Sequence, residues 1–226
     1  VSQPIPILYE DDHVLVASKP AGLLSVETGG QEGASLPEAL LEQGLRVIPV
    51  HRLDRDVSGC VLFAKTAAAR DALEELFRAR GLRKVYWALA QGIVQPPQGA
   101  FHFPILEDGP IARVSVHGKK SETRYRTLAA FPLATEVEID LITGRYNQIR
   151  LHFAHAGFPL IGERKYARGK DSPIHIKSRR VALHAWRLGL KHPITGAMLE
   201  IDAPLPDDLM EVRRAAETTR KAPRAR

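Results

Sequence analysis

The sequence predicts an α+β fold, with a mixed, largely antiparallel central sheet and flanking helices. Three observations carry that expectation. Strand-like runs follow one another along the 226 residues, turn signals join neighbouring runs, and helical patterns are few. Taken in order, Ile7-Leu8-Tyr9 and Val14-Leu15-Val16-Ala17 flank the polar Glu10-Asp11-Asp12-His13 and read as a β-hairpin. Pro20 and Gly22 then break the chain. Ser35 with Glu38 three residues on forms a capping box, predicting a short helix to Gln43. Cys60-Val61-Leu62-Phe63-Ala64 reads as a buried strand. Thr66 caps a helix from Ala67 to Arg80 whose Ala69, Leu73, Leu76 and Phe77 share a face, with Gly81 as its stop. Strands are predicted over roughly 83–90, 111–117, 121–129 and 134–142. A helix from about Asn147 to Ala156 ends at Gly157. Residues 163–180, basic and punctuated by Gly169 and Pro173, read as a long surface loop. Strands near 182–190 and 197–202 flank the turn Pro193-Ile194-Thr195-Gly196, and 207–217 forms a terminal helix. No repeats and no domain boundary emerge. Residues 1–212 are expected as one domain and 213–226 as a basic, disordered tail.

Composition excludes several classes. No apolar run approaches the ~20 residues that span a bilayer. The N-terminus, Val1-Ser2-Gln3-Pro4, lacks a signal-peptide pattern. Cys60 is the only cysteine, so an intramolecular disulfide is impossible and a reducing cytoplasm is the natural setting. Its apolar neighbours predict a buried, inert thiol. The net charge of +6 is unevenly spread. Residues 1–50 set Lys19 and Arg46 against seven acids, a balance of −5. Residues 145–192 set eleven Lys or Arg against Glu163 and Asp171, a balance of +9. The last sixteen residues set six basic side chains against Glu211 and Glu217, a balance of +4. Basic charge gathered in one block suits a polyanion-binding face. A solvated basic surface would have the same composition.

Two segments concentrate chemistry. His51-Arg52-Leu53-Asp54-Arg55-Asp56-Val57-Ser58-Gly59 sets a carboxylate between two arginines, ahead of a rigid strand. Flanking arginines keep a carboxylate ionised and oriented, ready as nucleophile or base. A salt-bridged turn leading into a strand would read the same way, and these nine residues leave both readings open. The second segment, Gly144-Arg145-Tyr146-Asn147-Gln148-Ile149-Arg150-Leu151-His152, starts at a turn and runs into a helix. His152 and His155 stand three apart on that helix, but no third ligand has a recognised spacing, so no metal is expected. Gly29-Gly30-Gln31-Glu32-Gly33 fits neither a Rossmann turn nor a phosphate loop. No cofactor is predicted.

Together the two segments resemble the RluA family of RNA pseudouridine synthases, with its His-Arg-Leu-Asp box ending in Ser-Gly and its Gly-Arg-x-x-Gln-(Ile/Leu)-Arg box. Lys19-Pro20-Ala21-Gly22, Lys84-Val85-Tyr86-Trp87-Ala88, Leu183-His184-Ala185 and Ala203-Pro204-Leu205-Pro206 match further boxes in the same order. The resemblance runs from about Ile7 to Leu209. It implies a pseudouridine synthase-like fold with an active-site cleft crossing the sheet, and makes 1–212 the catalytic domain. Family members often carry an extra N-terminal RNA-binding domain; with the first box at Lys19, none is expected ahead of it here.

The resemblance implies an isomerase that converts specific uridines of ribosomal or transfer RNA to pseudouridine. It implies Asp54 as nucleophile, Arg150 as its ion-pair partner, and Tyr86 for stacking or proton transfer. Arg52 would enter the RNA helix beside the extruded nucleotide, with Ile149 and Leu151 as the apolar wall of the base pocket. Arg145, Arg164, Lys165, Arg168, Arg179 and Arg180 are expected on RNA, with Lys170 and Lys177 as further phosphate contacts. The partner is then an RNA stem-loop, with no membrane, no obligate protein partner and a monomeric chain. Three positions depart from the family pattern: Val57 for Thr, Asn147 for His and Ser18 for Asn. They bear on loop geometry and RNA preference, and no proposed catalytic group is removed. The competing readings are a catalytically idle RNA-binding protein with the same basic surface and, more distantly, a glycosidase or nuclease using Asp54. The latter lacks an evident second carboxylate.

Overall fold

In chain order, the computed structural model contains β1 (Ile7–Glu10), β2 (Val14–Lys19), α1 (Leu36–Glu42), β3 (Ile48–Pro49), β4 (Ser58–Ala64), α2 (Ala67–Arg78) and β5 (Leu82–Gln91). There follow β6 (Gln98–Phe101), β7 (Ile105–Leu106), β8 (Arg113–Val114), β9 (Thr123–Ala130), β10 (Ala134–Leu141), α3 (Gln148–His155), β11 (Leu183–Lys191), β12 (Met198–Asp202) and α4 (Asp207–Thr218). It describes residues 4–26, 34–109, 111–167 and 176–219. Ten strands belong to one mixed, largely antiparallel sheet, and β7 pairs with β8 apart from it, so the fold is α+β as expected. The chain divides into two compact units, Val1–Val85 with His184–Leu205, and Tyr86–Leu183 with Pro206–Arg226. Two of the divisions fall inside β5 and β11, where strand-forming sequence runs on with no linker signal.

In the first unit the strand order is β1-β2-β4-β11, with β12 beside β11 and β3 beside β4. Asp11 fixes the first hairpin. Its Oδ1 accepts from the His13 and Val14 amides at 2.8 Å each, and Tyr9 donates to its Oδ2. Burial pushes the Asp11 carboxyl up, but these hydrogen bonds outweigh it and hold the group at about 2. All seven residues of β4 are buried, as an apolar run in a central strand requires. β4 meets β2 antiparallel and β11 in parallel, with Ser58 opposite His184 and Gly59 opposite Ala185. The capping box at Ser35 and Glu38 forms as predicted, and Thr66 Oγ1 accepts from the Ala69 amide to start α2. Ala69 and Leu73 of α2 join Val14, Val16, Leu62, Leu188 and Ile201 in the core. The left-handed turn after α2 falls on Arg80 (φ 57°) and not on Gly81.

In the second unit the order is β5-β10-β9-β6. The strand expected over 111–117 shrinks to β8. Gly118 donates to the Ser115 carbonyl and turns the chain, and Lys119 then exchanges both backbone bonds with Ile105. Alternating residues make a strand only where a partner edge lies opposite. α3 starts at Asn147, which is left-handed (φ 53°) and gives no side-chain cap, and it stops at Gly157 (φ 88°).

α4 continues to Thr218, which corrects the boundary of the expected tail. Arg213 Nε contacts both oxygens of Glu136 at 3.0 Å, and Trp87 Nε1 donates to the same carboxylate. Leu209, Val212 and Ala216 are buried beneath the helix. Residues 213–218 are therefore docked helix, and 220–226 lie outside the described residues. Of the loop expected over 163–180, residues 163–167 and 176–180 are non-regular, while 168–175 lie outside the described residues.

Candidate active site

In the first unit, residues 51–57 form the turn that feeds β4, and its backbone is tied down along its length. His51 Nε2 accepts from the Leu62 amide at 2.9 Å, and its ring lies 5.1 Å from that of Phe77. Burial, reinforced by the charge of Lys84, pushes the His51 pKa down to about 3. Ser25 Oγ both donates to the Leu53 carbonyl (2.9 Å) and accepts from the Leu53 amide (3.0 Å). The Val57 amide closes the turn on the Asp54 carbonyl at 3.0 Å.

Lys19 is the deepest support. It is 1% exposed, and its ammonium donates to the carbonyls of Pro20, Leu23 and Arg55 at 2.8–3.0 Å. A buried ammonium is costly unless its donors are met, so these carbonyls hold the Lys19 head against the loop. The Arg55 carbonyl also accepts from the Gly22 amide, and Arg55 Nε donates to the Gly22 carbonyl. Arg55 thus serves the loop backbone, which differs from the carboxylate-flanking role expected from its position. Arg52 is exposed and Asp54 is half-buried.

The exit from the turn has no steric slack. Gly59 has φ 117°, and a Cβ there would lie 2.1 Å from the Ala185 carbonyl oxygen. Beside it, Ser58 Oγ lies 2.8 Å from His184 Nδ1, and His184 Nε2 lies 3.2 Å from the Ala203 carbonyl. A carbonyl can only accept, so Nε2 carries the proton and Nδ1 accepts from the Ser58 hydroxyl. Val57 is 2% exposed, an apolar fit with no hydroxyl to satisfy.

The second unit holds the other box. Tyr86 is buried on β5, on the same strand face as Lys84 and Ala88. Gln148 pins the turn ahead of α3. Its Oε1 accepts from Thr143 Oγ1 and the Arg145 amide, and its Nε2 donates to the Glu122 carbonyl and Thr123 Oγ1, all within 2.7–3.1 Å. Arg150 meets Glu163 edge-on, with Nε 2.6 Å from Oε2 and Nη2 3.0 Å from Oε1. The Glu163 side chain is fully buried, and Oε1 also accepts from the Lys165 and Tyr166 amides. Burial pushes the Glu163 carboxyl up, but the Arg150 hydrogen bonds and charge, with the two amides, hold it below its ordinary value. Asn147 accepts from Arg150 Nη1 at 3.4 Å and donates to the Tyr166 hydroxyl at 2.9 Å. The Tyr166 ring lies 5.8 Å from the Arg150 guanidinium.

The expected RNA-contact residues divide. Arg164 and Arg179 are exposed, linked by Arg164 Nη2 donating to the Arg179 carbonyl, and Lys165 lies over the Tyr146 ring. Arg145 is half-buried, and its Nε is enclosed without a hydrogen-bond partner among the described residues. Arg180 is a correction. It is 8% exposed and bidentate to Asp208 at 2.6 and 3.0 Å, so its charge is matched inside its own unit. Leu151 is another, because it packs with Ile105 and Ala112. Ile149 is also buried, but two helix positions apart means roughly 200° around the axis, so the two cannot form one wall. Arg168 and Lys170 lie outside the described residues. Sequence reasoning missed Glu163 and Tyr166. One of only two acids in the basic block was the available signal for Glu163.

A family model described as RNA pseudouridylate synthase matches residues 13–155. Ribosomal large subunit pseudouridine synthase D of Nitrosomonas europaea is 36% identical over 231 residues, covering 94% of this chain and 65% of that protein. Ribosomal large subunit pseudouridine synthase C of Escherichia coli O157:H7 is 39% identical over 221 residues, covering 90% of this chain and 67% of that protein. The chain thus spans about two thirds of the length of these relatives. Human RNA pseudouridylate synthase domain containing 4 shares the fold, with a TM-score of 0.74, 23% identity, and coverage of 92% of this chain and 91% of that one.

Proposed function

The chain belongs to the RNA pseudouridylate synthase family, and from that premise we propose that it isomerises specific uridines of ribosomal RNA to pseudouridine. The observation that carries the reading is identity of 36–39% across at least 90% of this chain to the two ribosomal large subunit pseudouridine synthases. The matched family segment contains Asp54, Tyr86 and Arg150 together. The names of those relatives favour ribosomal over transfer RNA.

In the proposed reaction the bond from ribose C1′ to uracil N1 breaks, the base turns, and C1′ rejoins at C5. The C5 proton leaves and N1 regains one, so the change is redox-neutral and calls for no cofactor. Asp54 is the proposed nucleophile, on a loop held by Lys19, Ser25 and His51. Arg150 is the proposed partner that keeps it charged, and Tyr86 supplies a ring for stacking and a phenol for proton transfer. The target base must leave its stack. Arg52 is proposed to fill the place it leaves, which its exposure suits; it has no protein partner among the described residues. Arg145, Arg164, Lys165 and Arg179 are the proposed phosphate contacts, acting in a cytoplasmic monomer. No helix among the described residues is long and apolar enough to cross a membrane.

Tritium release from ribosomal RNA labelled at uracil C5 tests the reading. The native protein should release tritium, and Asp54→Asn should release none while binding RNA normally. RNA binding without release by the native protein would establish the idle-binder alternative instead.

A further inference from the structure

We infer that Glu163 is a positioning residue for the proposed isomerisation, acting through Arg150. The inference rests on the reading above and extends it to a residue outside every box that carries the family resemblance.

The Arg150 guanidinium is planar and offers two edges, one formed by Nε with one terminal nitrogen, the other by the two terminal nitrogens. Glu163 occupies the first edge with both carboxylate oxygens, at 2.6 and 3.0 Å. That fork fixes the plane and the roll of Arg150 together, as a single hydrogen bond would not. The Nη1 side, which also reaches Asn147 Oδ1, is thereby the side turned away from Glu163.

Glu163 is itself immobilised. Its side chain is fully buried, its amide donates to the Leu160 carbonyl, and Oε1 takes the Lys165 and Tyr166 amides. The approach to it is equally fixed. Gly162 has φ 78°, and a Cβ there would lie 2.0 Å from the Arg180 carbonyl oxygen. One carboxylate therefore sets Arg150 and the turn that carries Tyr166, whose hydroxyl is in turn bonded by Asn147. A surface ion pair has little such leverage. Here Arg150 is 13% exposed at its side chain and Glu163 not at all.

The test compares Glu163→Gln, Glu163→Asp, Arg150→Met and the double variant Arg150→Met/Glu163→Gln with the native protein, using C5-tritiated ribosomal RNA. Glu163→Gln keeps the shape but puts an amide where two acceptors stood. It should lower kcat on the order of 10²-fold with RNA affinity within about twofold of native. Glu163→Asp keeps the charge and should recover part of that loss. The double variant should be no slower than Arg150→Met, because a residue that acts only through Arg150 has nothing further to lose. Native kcat in Glu163→Gln, or losses that multiply in the double variant, would overturn the inference. Should Glu163→Gln fail to fold, Glu163→Asp decides: reduced kcat at native affinity supports the role, and native kcat removes it. An inactive native protein would instead overturn the proposed function, and this inference with it.

Discussion

Gly59 marks how tightly the catalytic candidate is held at the scale of one residue. Its φ of 117° lies where side chains rarely go, and the Ala185 carbonyl occupies the place of a Cβ. Gly59→Ala should therefore cost about 3 kcal/mol or more, read as a lower urea midpoint, with synthase activity falling alongside. An unchanged midpoint would mean that β4 and β11 can part locally at no cost. Arg150→Met carries a cost of its own, because it strands the buried Glu163 carboxylate. Breaking a buried pair on one side destabilises by roughly 3 kcal/mol, so its turnover must be measured below its own melting transition. Asp54, Tyr86 and Arg150 stand out in the sequence as catalytic candidates because chemistry-bearing residues sit in ordered boxes. Arg180 was misread because composition counts charges without their partners, and its partner Asp208 stands 28 residues away. Glu163 was missed for the same reason in reverse: one of two acids in a basic block looks like background until its burial is known.

Elements with local signals were the ones the sequence disclosed. The capping box of α1, the Thr66 cap of α2 and the glycine stop of α3 lie within a few residues of the helices they bound. Two-residue strands such as β3, β7 and β8 carry no such signal, because they exist only through a tertiary partner. α4 was read correctly over 207–217, but the tail boundary at 213 was not, since Arg213 has its partner 77 positions away in Glu136. Truncation separates helix from tail. A chain ending at Val212 loses the Arg213–Glu136 pair and the buried Ala216, and should melt about 5–10 °C lower, as a loss of roughly 2–3 kcal/mol implies for this size. A chain ending at Thr219 should melt like the full protein. It lacks Arg220, Lys221, Arg224 and Arg226, so its RNA binding should show a shallower salt dependence at an unchanged uridine. Equal melting of both truncations would return 213–218 to the tail.

Across the whole molecule, the basic block of 145–192 is less free than its count suggests, since Arg150, Arg180 and Arg187 each pair with a carboxylate. The buried histidines have a more general consequence, which is how stability should respond to acid. His152 is 0% exposed and its Nε2 faces the Phe103 carbonyl at 2.9 Å, so that nitrogen bears the proton. Its Nδ1 is buried without a partner among the described residues, and a second proton there would have no acceptor among them. Burial accordingly pushes its pKa down to about 4. His51, whose Nε2 already accepts the Leu62 amide, is pushed by burial to about 3. Both stay neutral in the folded chain, while the unfolded chain takes up protons below their ordinary value of about 6.5. Stability should thus be full above pH 6.5 and fall as the pH drops from there toward 4 and 3, by roughly 2 kcal/mol per histidine at pH 5. Asp11 and Glu163 have lowered values. The stability they add is present above their unfolded values near pH 4 and lost only below them, so the interval from pH 7 to 5 isolates the histidines. Urea unfolding at those two pH values measures the drop, and His152→Gln should remove about half of it whatever its effect at pH 7. The same drop in that variant would place the acid sensitivity elsewhere, and no drop in the native protein would mean that these two rings accept protons without unfolding.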